Sequence, residues 1–206
     1  MYVPTPFQPP DQSAVFDLMR THGFAVLFSG SAAEPALSHL PLLLDPSAGP
    51  NGTLWGHFAR ANDHWRSADG QPAVAVFSGP HTYISPTWYG EPDLVPTWNY
   101  LAVHAHGRLA LHADPDTLWK ILDGLAAYYE SDGPNPWSPA DRRASLEKLL
   151  AGVVGFSIPI DRLEGKWKLN QHHPPVRRQR VVDELRRSGR ENDRAIADWM
   201  ERTNGG

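Results

Sequence analysis

Three stretches of this chain concentrate side chains that bind or transform small molecules. The densest is Ser78-Gly79-Pro80-His81-Thr82-Tyr83-Ile84-Ser85-Pro86-Thr87-Trp88-Tyr89, which resumes at Val95-Pro96-Thr97-Trp98-Asn99-Tyr100. Between Pro80 and Tyr100 lie five aromatic residues, four serine or threonine hydroxyls and four prolines. A connection of this length is ordinarily polar and mobile. Here prolines stiffen it, and aromatic faces stand beside hydrogen-bonding groups. That composition suits a rigid wall for a planar polar ligand. It suits equally well a set of aromatics that plug a barrel end or build a dimer contact.

The second stretch is Gly56-His57-Phe58-Ala59-Arg60-Ala61-Asn62-Asp63-His64-Trp65, where a strand gives way to a turn or helix start. Arg60 could fork onto a phosphate through two charge-assisted hydrogen bonds, with peptide N–H groups of Ala61–Asp63 adding to it. A surface ion pair is the plain alternative. The third is Gly165-Lys166-Trp167-Lys168-Leu169-Asn170-Gln171-His172-His173. As a strand it sets Lys166 and Lys168 on one face and Trp167 on the other, either to meet an anionic ligand or to protect an edge.

Ten histidines raise the question of a metal. His104 and His106 alternate onto one strand face, yet no carboxylate or third histidine has the spacing of a familiar site, so no metal is expected. The chain has no cysteine, which removes thiolate chemistry and suits a reducing cytoplasm. It lacks a Gly-x-Ser-x-Gly elbow, a P-loop and a Gly-x-Gly-x-x-Gly fingerprint, so hydrolytic, triphosphate and Rossmann readings have no support.

These residues need elements to position them. Asp11 caps an amphipathic helix that Gly23 stops. Short apolar runs bounded by turn residues follow at Phe24–Ser29, Leu37–Leu44, Thr53–Ala59 and Ala73–Ser78, each of strand length. Thr97–Ala105 and Arg108–His112 read as a hairpin turning at Gly107. Asp114-Pro115 and Ser138-Pro139 each open a helix. Val153–Ile160 returns as a strand that Arg162–Gln171 extends, and Val176–Arg187 and Glu191–Arg202 form a helical pair. Closely spaced strands favour a meander or barrel over βαβ units. With 206 residues and no long linker, one domain is expected, residues 174–206 being a helical extension packed on it. No apolar run approaches the ~20 residues of a membrane helix. The net charge of −4 argues against nucleic-acid coating by charge alone. Residues 176–206 carry eight Arg against six acidic side chains. The acidic residues fall on the helix that would enter a DNA groove, which favours a packed hairpin over a DNA reader.

The long motifs coincide with a known family. Met1-Tyr2-Val3-Pro4, Ser38-His39-Leu40-Pro41-Leu42-Leu43-Leu44, Gly56–Asn62, Gly79–Tyr89, Val95–Tyr100 and Lys168-Leu169-Asn170-Gln171 resemble, in order, those of PaiB-like proteins. The resemblance runs from the first residue to about Met200. It departs from the family pattern at Asn170 and His172, where serine and asparagine are usual, and at Asp63, where proline is common. It implies an antiparallel split β-barrel of the flavin-reductase-like, FMN-binding kind, mainly β with flanking helices (α+β) and a C-terminal helical hairpin. A cytoplasmic homodimer with FMN near the interface, described as a negative transcriptional regulator, is also implied. On that basis Arg60 holds the FMN phosphate, helped by His57 and Lys168, with Asn62 beside them. Tyr83, Trp88 and Trp98 wall the isoalloxazine, and Ser85, Thr97, Asn99 and Gln171 bond its polar edge or ribityl chain. The cofactor carries any redox or sensing role, and no catalytic acid or base is assigned. Two alternatives stand beside this one. One is a DNA-binding repressor without catalysis. The other is a haem-binding barrel with His57, His81 or His104 as axial ligand.

Overall fold

The computed structural model describes residues 1–30, 35–131 and 135–203. In chain order the elements are α1 (Gln12–Thr21), β1 (Phe24–Gly30), β2 (Pro35–Pro41), β3 (Leu43–Asp45), β4 (Thr53–Ala59), β5 (Pro72–Ile84), β6 (Thr97–Arg108) and β7 (Ala110–His112). Then come α2 (Pro115–Tyr129), a short α3 (Arg143–Leu146), β8 (Val153–Lys168), α4 (Pro175–Ser188) and α5 (Glu191–Arg202). The strands make one antiparallel eight-stranded sheet, ordered β2-β1-β5-β6-β8-β4-β3, with β7 paired to β8 off that path. β2 and β3 end the path, so the sheet is not closed. Helix starts follow the capping chemistry: Asp11 accepts from the Ala14 N–H and Asp114 from the Thr117 N–H, each at 2.8 Å.

The chain groups into two compact units. The terminal unit contains Met1–Leu18, Ser78–Val103 and Glu164–Gly206; the central unit contains Met19–Phe77 and His104–Leu163. In the central unit β1 pairs with β2 so that Leu27 faces Ser38, and β4 pairs with β8 so that Trp55 faces Ser157. Leu54, Phe58, Phe156 and Ile158 are fully buried there, and the two phenylalanine rings lie 4.7 Å apart. Each such side chain contributes roughly 1.5–3 kcal/mol by leaving water.

The hairpin expected at Gly107 does not form. β6 runs straight through Gly107 to Arg108, and β7 pairs with β8 instead. The glycine is there for close approach: a Cβ would sit 2.2 Å from the Pro159 carbonyl oxygen. The helix expected from Ser138 breaks into 3₁₀ turns, Ala140–Arg142 and Glu147–Gly152, on either side of α3. Leu149 is exposed, so the stripe that packs on Leu118 and Trp119 is too narrow to sustain one long helix.

In the terminal unit Ile84, Tyr89, Leu101, Trp167 and Leu169 form a core completed by Val181, Leu185, Ile196 and Met200 of the two last helices. Gly189, at φ 74°, supplies the left-handed turn that joins α4 to α5.

Candidate functional site

β5 determines which way the aromatic motif faces. Its inward positions are Ala73, Ala75 and Phe77 until Gly79 and Pro80, which are both buried, and then Thr82 and Ile84. The alternation therefore changes phase at Gly-Pro, where one residue lacks a Cβ and the next lacks a ladder N–H. From there His81 and Tyr83 point outward. Trp98 on β6 points outward as well, and its ring lies 6.1 Å from Tyr83 at 73° and 6.3 Å from His81. Tyr83 is 42% and Trp98 53% exposed, so both present open π-faces.

Two cavities of the terminal unit meet at this surface. One of about 340 Å³ is lined by Gly79, His81, Trp98 and Tyr100 among others. The other, of about 400 Å³, shares His81 and Trp98 and adds Tyr83 and the start of α5. Ser85 caps the 3₁₀ turn Pro86–Tyr89, accepting from the Thr87 N–H at 3.3 Å while its hydroxyl lies 2.8 Å from Thr87 Oγ1. Trp88 is half-buried on that turn. Gly90 closes it at φ 69° with Arg180 donating to the Tyr89 carbonyl at 2.6 Å.

Lys168, at the end of β8, donates to Thr97 Oγ1 and, at 3.0 Å, to the Trp98 carbonyl. Burial, helped by the Lys166 charge, lowers its pKa. Thr97, Trp98 and Lys168 are thus brought together. Lys166 is buried rather than guarding an edge, since β8 lies inside the sheet path. Its ammonium donates to the Tyr2 carbonyl at 3.0 Å and stands 5.3–6.0 Å from the rings of Tyr2, Tyr100 and Phe7. Gln171 is occupied locally: Oε1 accepts from the Leu169 N–H at 2.7 Å and Nε2 donates to the Trp167 carbonyl at 2.5 Å. Asn99 faces the core, with no exposed surface, and donates to Met200 Sδ at 3.4 Å. Asn170, at φ 62°, is also fully buried, and neither of its amide atoms has a partner among the described residues.

The central unit holds His57, Arg60 and Asn62. Arg60 Nε and Nη2 donate to the carbonyls of Ala151 (2.7 Å) and Val153 (2.9 Å), and its own N–H donates to Gly152 at 2.7 Å. The guanidinium thereby ties the end of β4 to the start of β8. The turn after it, Asp63–Ser67, is only five residues long. His57 is half-buried, burial lowers its pKa, and its Nδ1 has no partner among the described residues.

Asn62 anchors a network that the sequence reading missed. Its Oδ1 accepts from the His64 N–H at 3.0 Å, which leaves Nδ2 to donate to Ser38 Oγ at 3.0 Å. Ser38 Oγ lies 2.8 Å from His64 Nδ1, and Ser29 Oγ lies 2.8 Å from Nε2. Asn62, Ser38, His64 and Ser29 thus form one continuous chain of hydrogen bonds that uses both ring nitrogens of His64. His64 is a buried structural relay, and burial lowers its pKa.

The start of α5 and the residue before it contribute two further residues that no local signal marked. Asp193 is 1% exposed and accepts from Thr82, Ser188 and Arg190. Burial alone would raise its pKa, but these three donors outweigh burial and hold it low. Arg190 reaches it from the exposed rim at 2.8 Å.

The chain matches the family described as "Putative FMN-binding domain" over residues 1–162. It is 30% identical over 204 residues to protease synthase and sporulation protein PAI 2 of Bacillus subtilis, spanning 98% of this chain and 97% of that one. Among solved structures it is similar to the FAD and heme binding protein from Mycobacterium smegmatis, with a TM-score of 0.57 and 16% identity over 78% of this chain and 73% of that one. It is also similar to the flavocytochrome Anf3 from Azotobacter vinelandii, with a TM-score of 0.52 and 14% identity over 77% and 68%. At such identities the likeness is one of fold, and that fold is a split barrel.

Proposed function

Since the chain belongs to the FMN-binding family of PaiB-like proteins, we propose that it is a cytoplasmic, homodimeric flavoprotein that holds FMN in a redox or sensing role linked to transcription. The observation that carries this reading is the open pair of π-faces, Tyr83 and Trp98, which line one cavity together with His81. Exposed aromatic faces of that size are costly in water and are satisfied by a planar ring. The orphaned Nδ1 of His57 is the kind of buried atom that a ligand's polar edge satisfies. A bound flavin supplies electron and hydride transfer.

The residues divide the work of holding it. Tyr83, Trp98 and the half-buried Trp88 offer stacking surfaces. Thr97 and Ser85 offer hydroxyls, and Lys168 keeps a cation beside Thr97. Arg60 keeps one nitrogen, Nη1, without a bond among the described residues, and this is the group we assign to the phosphate. Asn62 acts through the His64 network, and Gln171 acts by closing the turn after β8. Asn99 acts from the core, shaping the strand that carries Trp98.

Haem is a second reading with its own observation. His81 is exposed at the shared rim of both cavities, and its Nδ1 lies 3.2 Å from the Gly79 carbonyl, so Nε2 is the atom that would bind a haem iron. The visible spectrum of protein purified from cells supplied with both cofactors separates the two. Flavin bands that shift on Trp98→Leu support FMN, a Soret band lost on His81→Ala supports haem, and a colourless protein that takes up neither on reconstitution removes both readings.

A further inference from the structure

We propose that the larger cavity of the terminal unit binds a small organic cation, a protonated amine or an N-alkylated aromatic ring. The site shares Tyr83 and Trp98 with the flavin wall proposed above, so cation and flavin compete for it; binding of the cation does not rest on the flavin reading and is measured on the flavin-free chain. Shape is the first ground. Tyr83 and Trp98 meet at 73° with centroids 6.1 Å apart, so they form a corner of two exposed π-faces. Both line a cavity of about 400 Å³, within the range of small-ligand sites. The negative faces of a tyrosine and a tryptophan attract a cation, and the attraction grows as water is displaced.

Charge is the second ground. The cavity receives Glu191 and Asp193 from α5, Arg190 from the residue just before it and His81 from β5. Arg190 and Asp193 bond each other at 2.8 Å and cancel. Thr82 and Ser188 hold the Asp193 carboxylate in place, so it remains charged and fixed. Glu191 is exposed and has no ion pair among the described residues, so the side chains of the lining carry a surplus of one negative charge, of which the N-terminus of α5 offsets about half. Lys168 does not line the cavity; its ammonium is held by Thr97 and the Trp98 carbonyl. A phosphate or carboxylate ligand would meet that surplus as repulsion, whereas an ammonium or pyridinium meets it as attraction.

Three one-ring probes of different charge test this on the full chain by titration calorimetry near pH 8. They are N-methylpyridinium, neutral pyridine and anionic benzoate. We expect saturable binding of N-methylpyridinium, about ten-fold tighter than pyridine, and no binding of benzoate. Glu191→Gln should bring the cation close to pyridine, and Trp98→Leu should remove it. The melting temperature of both variants should stay within a few degrees of the parent, since both side chains are exposed. Equal affinity for cation and neutral ring, tighter binding of benzoate, or an unchanged cation affinity in Glu191→Gln overturns the proposal. FMN affinity, measured on the same samples, should be unaffected by Glu191→Gln. Loss of FMN binding with the cation retained would remove the flavin reading alone, and the converse would remove this one alone.

Discussion

Arg60 has two tasks competing for one guanidinium. Two of its nitrogens hold the carbonyls of Ala151 and Val153, so removing it should affect stability as well as ligand binding. Two charge-assisted bonds at an exposed site contribute about 1 kcal/mol after solvent screening. For a chain of this length that corresponds to a melting temperature lower by ~3 °C. Arg60→Ala should therefore melt a few degrees early and lose FMN affinity ten- to a hundred-fold, while affinity for riboflavin, which lacks the phosphate, changes little. Arg60→Lys, a single point charge, should recover FMN only in part. Equal weakening of both flavins would mean that Arg60 acts only by holding the 151–153 segment. The histidines give a second test at this scale. Burial lowers the pKa of His22, His57, His64 and His172 and takes that of His173 to about 4, where the charges of His172 and Arg177 add to burial. The folded chain thus binds fewer protons than the unfolded one, so stability falls as pH drops through the ordinary histidine pKa of about 6.5 and continues to fall toward 4. Urea midpoints should decline over that window, and the decline should be shallower in His64→Gln. A midpoint that stays flat from neutral pH down to 5 would contradict the buried neutral state of these rings.

Among the elements, β6 gives the clearest mutational test. Alanine at position 107 would drive a Cβ into the Pro159 carbonyl, 2.2 Å away, whereas at Gly152 nothing lies within 4 Å. Gly107→Ala should cost about 3 kcal/mol in urea unfolding and Gly152→Ala almost nothing. If the two substitutions cost the same, β6 and β8 do not approach as described. The helical pair has a consequence of its own. Arg177 pairs with Glu91, Arg186 with Asp198 and Glu201, Arg187 with Glu184, and Arg180 with the Tyr89 carbonyl. Arg177, Arg186 and Arg187 are thus paired with carboxylates within the unit, so any duplex binding should be weak, insensitive to sequence and gone at physiological salt. Retention of its own upstream DNA at that salt would reverse this. Such features also show where the sequence was readable. Helix caps at Asp11 and Asp114 and the span of β4 were legible because local chemistry decides them. Gly107 was misread as a turn because glycine serves both tight turns and close strand contacts, and only the partner strand distinguishes them. The phase change at Gly79-Pro80, which turns His81 and Tyr83 outward, was hidden because alternation must be counted from both ends of a strand. Asp193 meets Thr82 across 111 residues, a pairing that no local pattern announces, and Asn99 looked like a ligand group because motif membership does not say which face is buried.

For the molecule as a whole, the family was legible because its motifs are long and span the chain in order, while the ligand contacts were less so. Thr97, Trp98 and Lys168 come together within the terminal unit, and Arg60 and Asn62 each take up bonds of their own within the central one. The exposed aromatic surface and the proposed dimer share one expectation. Sedimentation should report a homodimer, and charged substitution at Val95, which is 75% exposed beside this motif, should not unfold the chain. The most direct measurement is titration of the flavin-free full chain with FMN, followed by quenching of flavin fluorescence, in the parent and in Trp98→Leu. We expect saturation at one FMN per chain in the micromolar range or tighter, and at least ten-fold weaker binding in the variant. No saturable quenching in the parent, or equal affinity in the two proteins, would contradict the assignment of the Tyr83–Trp98 wall to flavin.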